Sequence, residues 1–213
     1  MKVELLGHYG SDLLVVNAAR TSFDRQHEAF TEGDARLIRF LAREGHWTPF
    51  AHPHLTFRIT APVFCARQMV KHQVGLVWSE VSRRYVKDAP EFCGMTWRAA
   101  APDVKQGSGG PVDDALAGMA DRLMDQAVNT AEAAYGALLE LGIAPEQARV
   151  VLPLATFTTW IWTGSLHAFA RVCRERLHPT AQEETRVVAE CISDLIAPLF
   201  PHSWAALVPL EAA

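Results

Sequence analysis

The densest run of chemically capable side chains extends from Lys71-His72-Gln73 to Ser79-Glu80-Val81-Ser82-Arg83-Arg84-Tyr85, with Gly75 between them. Guanidinium groups, hydroxyls and a carboxylate this close together at a loop supply the donors that phosphate recognition needs, and Arg83 or Arg84 can grip phosphate oxygens in bidentate fashion. A solvated basic turn is the competing reading of the Arg-Arg pair, and Ser82, Glu80 and His72 weigh against it because binding groups concentrate on loops. A second set, Arg149, Arg171, Arg174 and Arg176 with His167 and His178, lies late in the chain. Positions 167, 171 and 174 share one helical face, which suits an anionic ligand or a solvated surface with Glu175 and Glu183 as partners.

Other chemistries find less support. His52-Pro53-His54 places two imidazoles on one side of an extended segment, yet no carboxylate or cysteine at ligand spacing completes a metal site. There is no GxSxG elbow, and the glycines at 107–110 lack the pattern of a phosphate loop. Cys173 and His178 are five residues apart on a predicted helix, where their side chains diverge, so Cys173 reads as a core residue rather than a nucleophile. Cys65, Cys93, Cys173 and Cys191 are widely spaced with no CxxC pair, the pattern of reduced thiols.

These side chains need elements to hold them. Residues 3–6 and 12–16 are short apolar runs separated by Gly7, Gly10 and Ser11, and read as two strands joined by a turn. Leu37, Ile38, Phe40 and Leu41 recur at helical spacing from Asp34 to Glu44, with Gly45 as a stop. Residues 54–60 alternate as a half-buried strand, and Pro62 opens a helix from Val63 to His72. Pro102, Gly107, Gly109, Gly110 and Pro111 predict an exposed loop over Ala101 to Asp114. A long amphipathic helix follows from Leu116 to Leu141, ended by Gly142. Pro145 starts another through Arg149, Leu152-Pro153 interrupts it, and the aromatic run Phe157, Trp160 and Trp162 comes next. Helices over about 166–176 and 180–196 close the chain before Pro198 and Pro201.

The 213 residues are 49% hydrophobic and 21% charged, enough for one core and one domain spanning 1–213. Lysine plus arginine is 20 against 24 acids, a formal charge of -4, which argues against a nucleic-acid or anionic-membrane binder. No apolar run reaches membrane-span length, and Glu4 stands where a signal peptide is apolar, so a cytoplasmic protein is expected.

Several segments together resemble the flavin-dependent thymidylate synthases. They are Ala19-Arg-Thr-Ser-Phe, His46-Trp-Thr-Pro-Phe, the run Ala61 to Gln73, and Ser79-Glu-Val-Ser-Arg-Arg-Tyr, which is similar to the end of that family's RHRxxSxNExSxRY signature. Ala148-Arg-Val-Val-Leu-Pro, Thr163-Gly-Ser and Ala181-Gln-Glu-Glu-Thr-Arg follow in the family's order. The signature's first and third arginines are Lys71 and Gln73 here, its asparagine is Ser79, and one extra residue separates His72 from Glu80.

The resemblance implies an α/β (α+β) fold, a central mixed sheet flanked by helices, assembled as a homotetramer with FAD where subunits meet. It implies methylation of a uracil nucleotide, dUMP to dTMP, at C5, with methylenetetrahydrofolate as carbon donor and NADPH as reductant. Ser22, Thr48, Lys71, His72, Gln73, Glu80, Ser165, His167 and Arg171 fall at flavin contacts. Gln68, Lys71, Glu80, Ser82, Arg83, Arg84, Arg149 and Arg176 fall at the nucleotide, and Arg176 matches the arginine that stabilises the ionised pyrimidine. An arginine suits that task because it keeps its proton, and charge on the uracil ring is what makes C5 a nucleophile. The departures also fit a UMP C5-methylase like those of nucleoside-antibiotic pathways, or a flavin protein that only binds nucleotides.

Overall fold

The computed structural model describes residues 1–102 and 107–209. Strand β1 (Lys2–Tyr9) leads to helices α1 (Asp12–Arg20) and α2 (Glu32–Arg43), and β2 (His54–Pro62) runs into α3 (Val63–Met69). Then come β3 (Leu76–Glu80), the long α4 (Asp114–Glu140) and the short α5 (Pro145–Ala148). Strand β4 (Phe157–Ser165), α6 (Leu166–Arg176), α7 (Glu183–Ile196) and α8 (Pro201–Leu207) complete the fold.

The four strands are ordered β1-β2-β4-β3, and each neighbouring pair is antiparallel. The sheet is therefore flanked by helices as expected but is not mixed. β2 and β3 run the same way, yet β4 lies between them and pairs with both, so no parallel ladder forms.

One face of the sheet is the core. Leu55, Phe57 and Ile59 of β2 alternate inward opposite Gly164, Trp162 and Trp160 of β4, and all are buried. Phe169, Val172 and Cys173 of α6 and Val188 and Ile192 of α7 cover them. Trp78 of β3 stacks on Trp160 with ring centroids 4.4 Å apart, a contact that adds about 1 kcal/mol beyond its area. The opposite face carries Thr56 bonded to Thr163 and Thr60 to Thr159. The aromatic run is thus the central strand of the sheet.

Residues 12–16 form the first turns of α1, not a strand. Val15 and Val16 turn inward onto the core while Asp12 accepts from the backbone N–H groups of His202 and Ser203, a contact a strand here would not make. A run of four apolar residues fits either period, and packing decides. Helix α3 stops at Met69, short of His72, and the segment up to Glu80 that reads as loop becomes edge strand β3. Gly164 allows this close pairing: a Cβ there would stand 2.6 Å from the Gly75 carbonyl oxygen. The final helix α8 lies beyond the two expected to close the chain, with Pro201 at its first position. The loop expected over 101–114 holds residues 103–106, which lie outside the described residues; on either side of them Arg98 and Pro111 form a bridge.

Candidate active site

The segment 71–84 runs along the sheet edge, so its two ends serve different places. Lys71, His72 and Gln73 sit in the turn after α3, with Lys71 and Gln73 exposed and His72 half-buried. Gly75, at φ +76°, lets that turn lie on the start of α6, where a Cβ would crowd Ala168 at 3.2 Å. Glu80 lies about 13 Å further on, at the far end of β3.

At the near end Arg176, the last residue of α6, donates from Nε to His72 Nε2 at 3.0 Å. That bond requires an unprotonated His72 Nε2. Burial and the adjacent Arg176 charge lower the His72 pKa, so the ring is neutral at pH 7. Arg176 lines a cavity of about 740 Å³ with Gln68, Arg174, Glu175, His178, Thr180 and Gln182. Among the described residues no carboxylate pairs with Arg171, Arg174 or Arg176, and Glu183 is engaged by Arg98 instead. The face carrying His167, Arg171 and Arg174 is thus an unneutralised basic surface.

At the far end a cavity of about 620 Å³ is lined by Glu80, Arg83 and Arg149 together with Thr158, Thr159 and apolar groups that include Val63, Val150 and Leu152. Glu80 accepts from Thr158 Oγ1 at 2.8 Å and from Trp78 Nε1 at 3.1 Å, which orients its carboxylate. Arg83 donates to the Asp88 carbonyl at 2.9 Å, and Arg149 donates to the Glu146 carbonyl at 3.3 Å. Ser82 Oγ accepts from Arg84 Nε at 2.9 Å, and the Arg84 guanidinium lies 5.1 Å from the Tyr85 ring centre. Gln68 and Arg176 therefore border one cavity and Glu80, Arg83 and Arg149 the other, and the two share no lining residue.

The remaining predicted positions lie around α6 and α1. Ser165 is buried and caps α6, its Oγ accepting from Ala168 N at 3.2 Å. His167 has a buried Nδ1 without a partner, its ring centre 5.8 Å from that of Trp47. Thr48 begins the short 3-10 helix beside Trp47, and Arg171 is exposed one turn past His167. Ser22 is exposed in the 3-10 turn after α1. An aromatic face, an orphaned ring nitrogen and an unpaired guanidinium are a donor set that fits a planar, acceptor-rich cofactor bearing phosphates. Thr48, His167 and Arg171 are the residues that would hold it.

The thymidylate synthase complementing protein model (Thy1) matches residues 4–202. A flavin-dependent thymidylate synthase from Thermus thermophilus is 37% identical over 207 residues, 96% of this chain and 74% of that one. Another from Pseudothermotoga lettingae is 32% identical, covering 97% and 89%. The chain belongs to the flavin-dependent thymidylate synthases. The crystal structure of the UMP/dUMP methylase PolB from Streptomyces cacaoi bound with 5-Br dUMP superposes with a TM-score of 0.87 at 32% identity, covering 96% of this chain and 93% of that one. The same methylase bound with 5-Br UMP gives 0.83 at 29% identity.

Relative to that family's signature, Lys71 and Gln73 place shorter or uncharged donors in the exposed turn, while His72 is the member anchored by a hydrogen bond to α6. All four cysteines are free, and none borders either large cavity. Burial pushes the Cys65 thiol up to about 12 and raises Cys173 as well, so neither is an available thiolate. Among the described residues no group of histidine, cysteine and carboxylate side chains is placed to hold a metal, and no helix is long and apolar enough to cross a membrane. His178, read from the sequence as part of the second polar set, lines the Arg176 cavity, whereas Thr180 and Gln182 line it without having stood out as binding residues; only the Ala181-Gln182 pair carried a signal, through the family resemblance.

Proposed function

We propose that the protein is a flavin-dependent enzyme that methylates a uracil mononucleotide at C5, converting dUMP to dTMP with methylenetetrahydrofolate as carbon donor and NADPH as reductant, in the cytoplasm. Uracil C5 gives up a proton and gains the methylene carbon, two electrons from NADPH reduce that carbon to methyl, and the folate leaves as tetrahydrofolate. Bound FAD supplies the two-electron relay between NADPH and the carbon. One observation carries the reading: Arg176 is held by a neutral imidazole at a cavity where, among the described residues, no carboxylate forms an ion pair with it, Glu175 on the rim included, and no cysteine lines the wall. A guanidinium so placed stabilises negative charge developing on the uracil ring, and no thiolate attack at C6 is needed. His72, kept neutral, orients that guanidinium without adding repulsion to a cationic pocket. Glu80, Ser82, Arg83, Arg84 and Arg149 offer the anchors for phosphate and sugar, with Lys71 and Gln73 at the flavin. Because Glu80, Arg83 and Arg149 border one cavity and the Gln68–Arg176 pair another, a homotetramer in which two subunits complete each site is part of the proposal.

The likeness to PolB favours a second reading, in which UMP is accepted beside dUMP. The test incubates the FAD-loaded protein with methylenetetrahydrofolate, NADPH and either dUMP or UMP, and identifies both products by mass spectrometry. A 5-methylated nucleotide with tetrahydrofolate is expected. Failure of both nucleotides, or dihydrofolate as product, would overturn the mechanism.

A further inference from the structure

A line of hydrogen bonds enters the Arg176 cavity from the segment before α4. Arg98 donates from Nη2 to Glu184 Oε1 at 2.7 Å, and its Nη1 stands 3.2 Å from Glu183 Oε2. Glu184 Oε2 accepts from Gln182 Nε2 at 2.9 Å, and Gln182 Oε1 accepts from Gln68 Nε2. The side chains of Arg98 and Glu184 are each only 13% exposed, whereas Gln182 and Gln68 open onto the cavity. Burial works against the Glu184 carboxylate, but the bonds from Arg98, its own backbone N–H and Gln182 outweigh it and hold its pKa below the ordinary value.

Chemistry fixes the direction of this line. A carboxylate has no proton to give, so Gln182 must turn its amide nitrogen to Glu184. Its oxygen then faces Gln68, which must answer with N–H. The carbonyl oxygen of Gln68 is left without a partner among the described residues. We propose that Arg98, Glu184 and Gln182 are positioning residues that orient the Gln68 amide so that its carbonyl oxygen accepts a hydrogen bond from the uracil nucleotide. The donor on that nucleotide is its imide N–H or a sugar hydroxyl. This rests on the proposed nucleotide reading of the cavity.

A single nearly isosteric change reverses the line. In Glu184→Gln, Arg98 claims the new carbonyl, so the new amide nitrogen meets Gln182. Gln182 must then offer its oxygen and turn its nitrogen to Gln68, which gives its own oxygen to Gln182 and withdraws it from the cavity. Exchanging the two groups, Gln182→Glu with Glu184→Gln, restores the original direction, because the carboxylate at 182 accepts from both neighbours while Arg98 keeps an acceptor at 184.

Calorimetric titration of the FAD-loaded protein with dUMP tests this, with melting curves to verify folding. The E184Q variant should bind about tenfold more weakly, the cost of one lost hydrogen bond, and the exchanged double variant should return to within about threefold of wild type. N3-methyl-dUMP identifies the donor: if it binds wild type and E184Q alike the donor is the imide, and if it shows the same tenfold loss the donor is a hydroxyl. Wild-type affinity in E184Q, or an exchanged variant as weak as E184Q, would overturn the proposal. Should E184Q fail to fold, the exchanged variant decides alone: recovered melting and binding support the line, and continued unfolding or a tenfold loss refutes it. Failure of the wild type to bind dUMP or UMP would instead refute the nucleotide reading.

Discussion

Truncating Arg176 to alanine isolates the electrostatic part of the proposed chemistry. Arginine has five N–H donors, and in this structure Nε is spent on His72 at 3.0 Å while no carboxylate pairs with the guanidinium among the described residues. The four Nη hydrogens and the full positive charge therefore remain for whatever occupies the cavity. Removing one preorganised donor aimed at developing charge costs about 3 to 4 kcal/mol, so kcat should fall about 100- to 1000-fold. The half-buried side chain gives up one internal hydrogen bond, so the melting curve should show a loss of only about 1 kcal/mol. Arg176→Lys retains charge but cannot donate through Nε to His72, and should fall between the two. The His72 pKa should rise in the alanine variant, because one of the two groups that lower it, the Arg176 charge, is gone. Single-turnover formation of 5-methyl nucleotide gives the rate and imidazole proton NMR gives the titration. An R176A variant that folds and turns over within threefold of wild type would refute the reasoning.

Arg149→Ala and Arg84→Ala should each weaken dUMP binding by about 2 to 3 kcal/mol in calorimetric titration while flavin binding survives, since each removes a charge-assisted anchor. Cys173→Ser should keep the wild-type turnover per folded molecule in the same product assay, because Cys173 is fully buried and borders neither large cavity. Asp34→Ala should lower unfolding free energy in urea by about 3 to 5 kcal/mol, because the buried carboxylate accepts from Arg20 at 2.8 Å, from Thr31 N at 2.9 Å and pairs with His27 at 3.0 Å. Burial raises the Asp34 pKa, but these bonds outweigh it and leave the pKa strongly depressed; its stabilisation is thus complete above the ordinary carboxylate value and lost as pH falls toward the folded one. The wild-type stability curve should show that acid slope and Asp34→Asn should lack it.

Period and punctuation made some of this legible. The alternation of Leu55, Phe57 and Ile59 gave β2, and the three-to-four spacing ended by Gly142 gave α4, because each pattern meets one buried face. Leu13 to Val16 misled because four consecutive apolar residues satisfy both periods, and only the docking of Asp12 on the start of α8, far away in sequence, selects a helix. Strand β3 was hidden for a related reason. Val77, Ser79 and Glu80 are exposed, as edge residues are, so its pairing with β4 depends on Gly164 rather than on its own pattern. The polar set was legible by residue type, and His167, Arg171 and Arg174 do share an open face. The His72–Arg176 bond spans 104 positions and leaves no local signal, and Arg98 reaches the cavity only through Glu184 and Gln182.

The edge strand has a further consequence for how a site can be completed. Because β3 is extended, it separates His72, whose partner Arg176 borders one cavity, from Glu80, which borders the other, and the two cavities have no residue in common. Groups proposed for one nucleotide are thus split between a Gln68–Arg176 half and a Glu80–Arg83–Arg149 half. If each working site joins the first half of one subunit to the second half of another, a defect in either half is confined to the sites that use it. Mixing Arg149→Ala with Arg176→Ala protein, under conditions where subunits exchange, should then regenerate sites with both halves intact. Random pairing makes those about a quarter of all sites, so at a dUMP concentration near the wild-type KM, where the weakly binding and the slow parent are both nearly inactive, the mixture should recover about a quarter of the wild-type rate. Native mass spectrometry verifies exchange through the mass difference. If hybrids form and the mixture shows only the average of its parents, each site is built within one chain and the shared-site assembly is wrong.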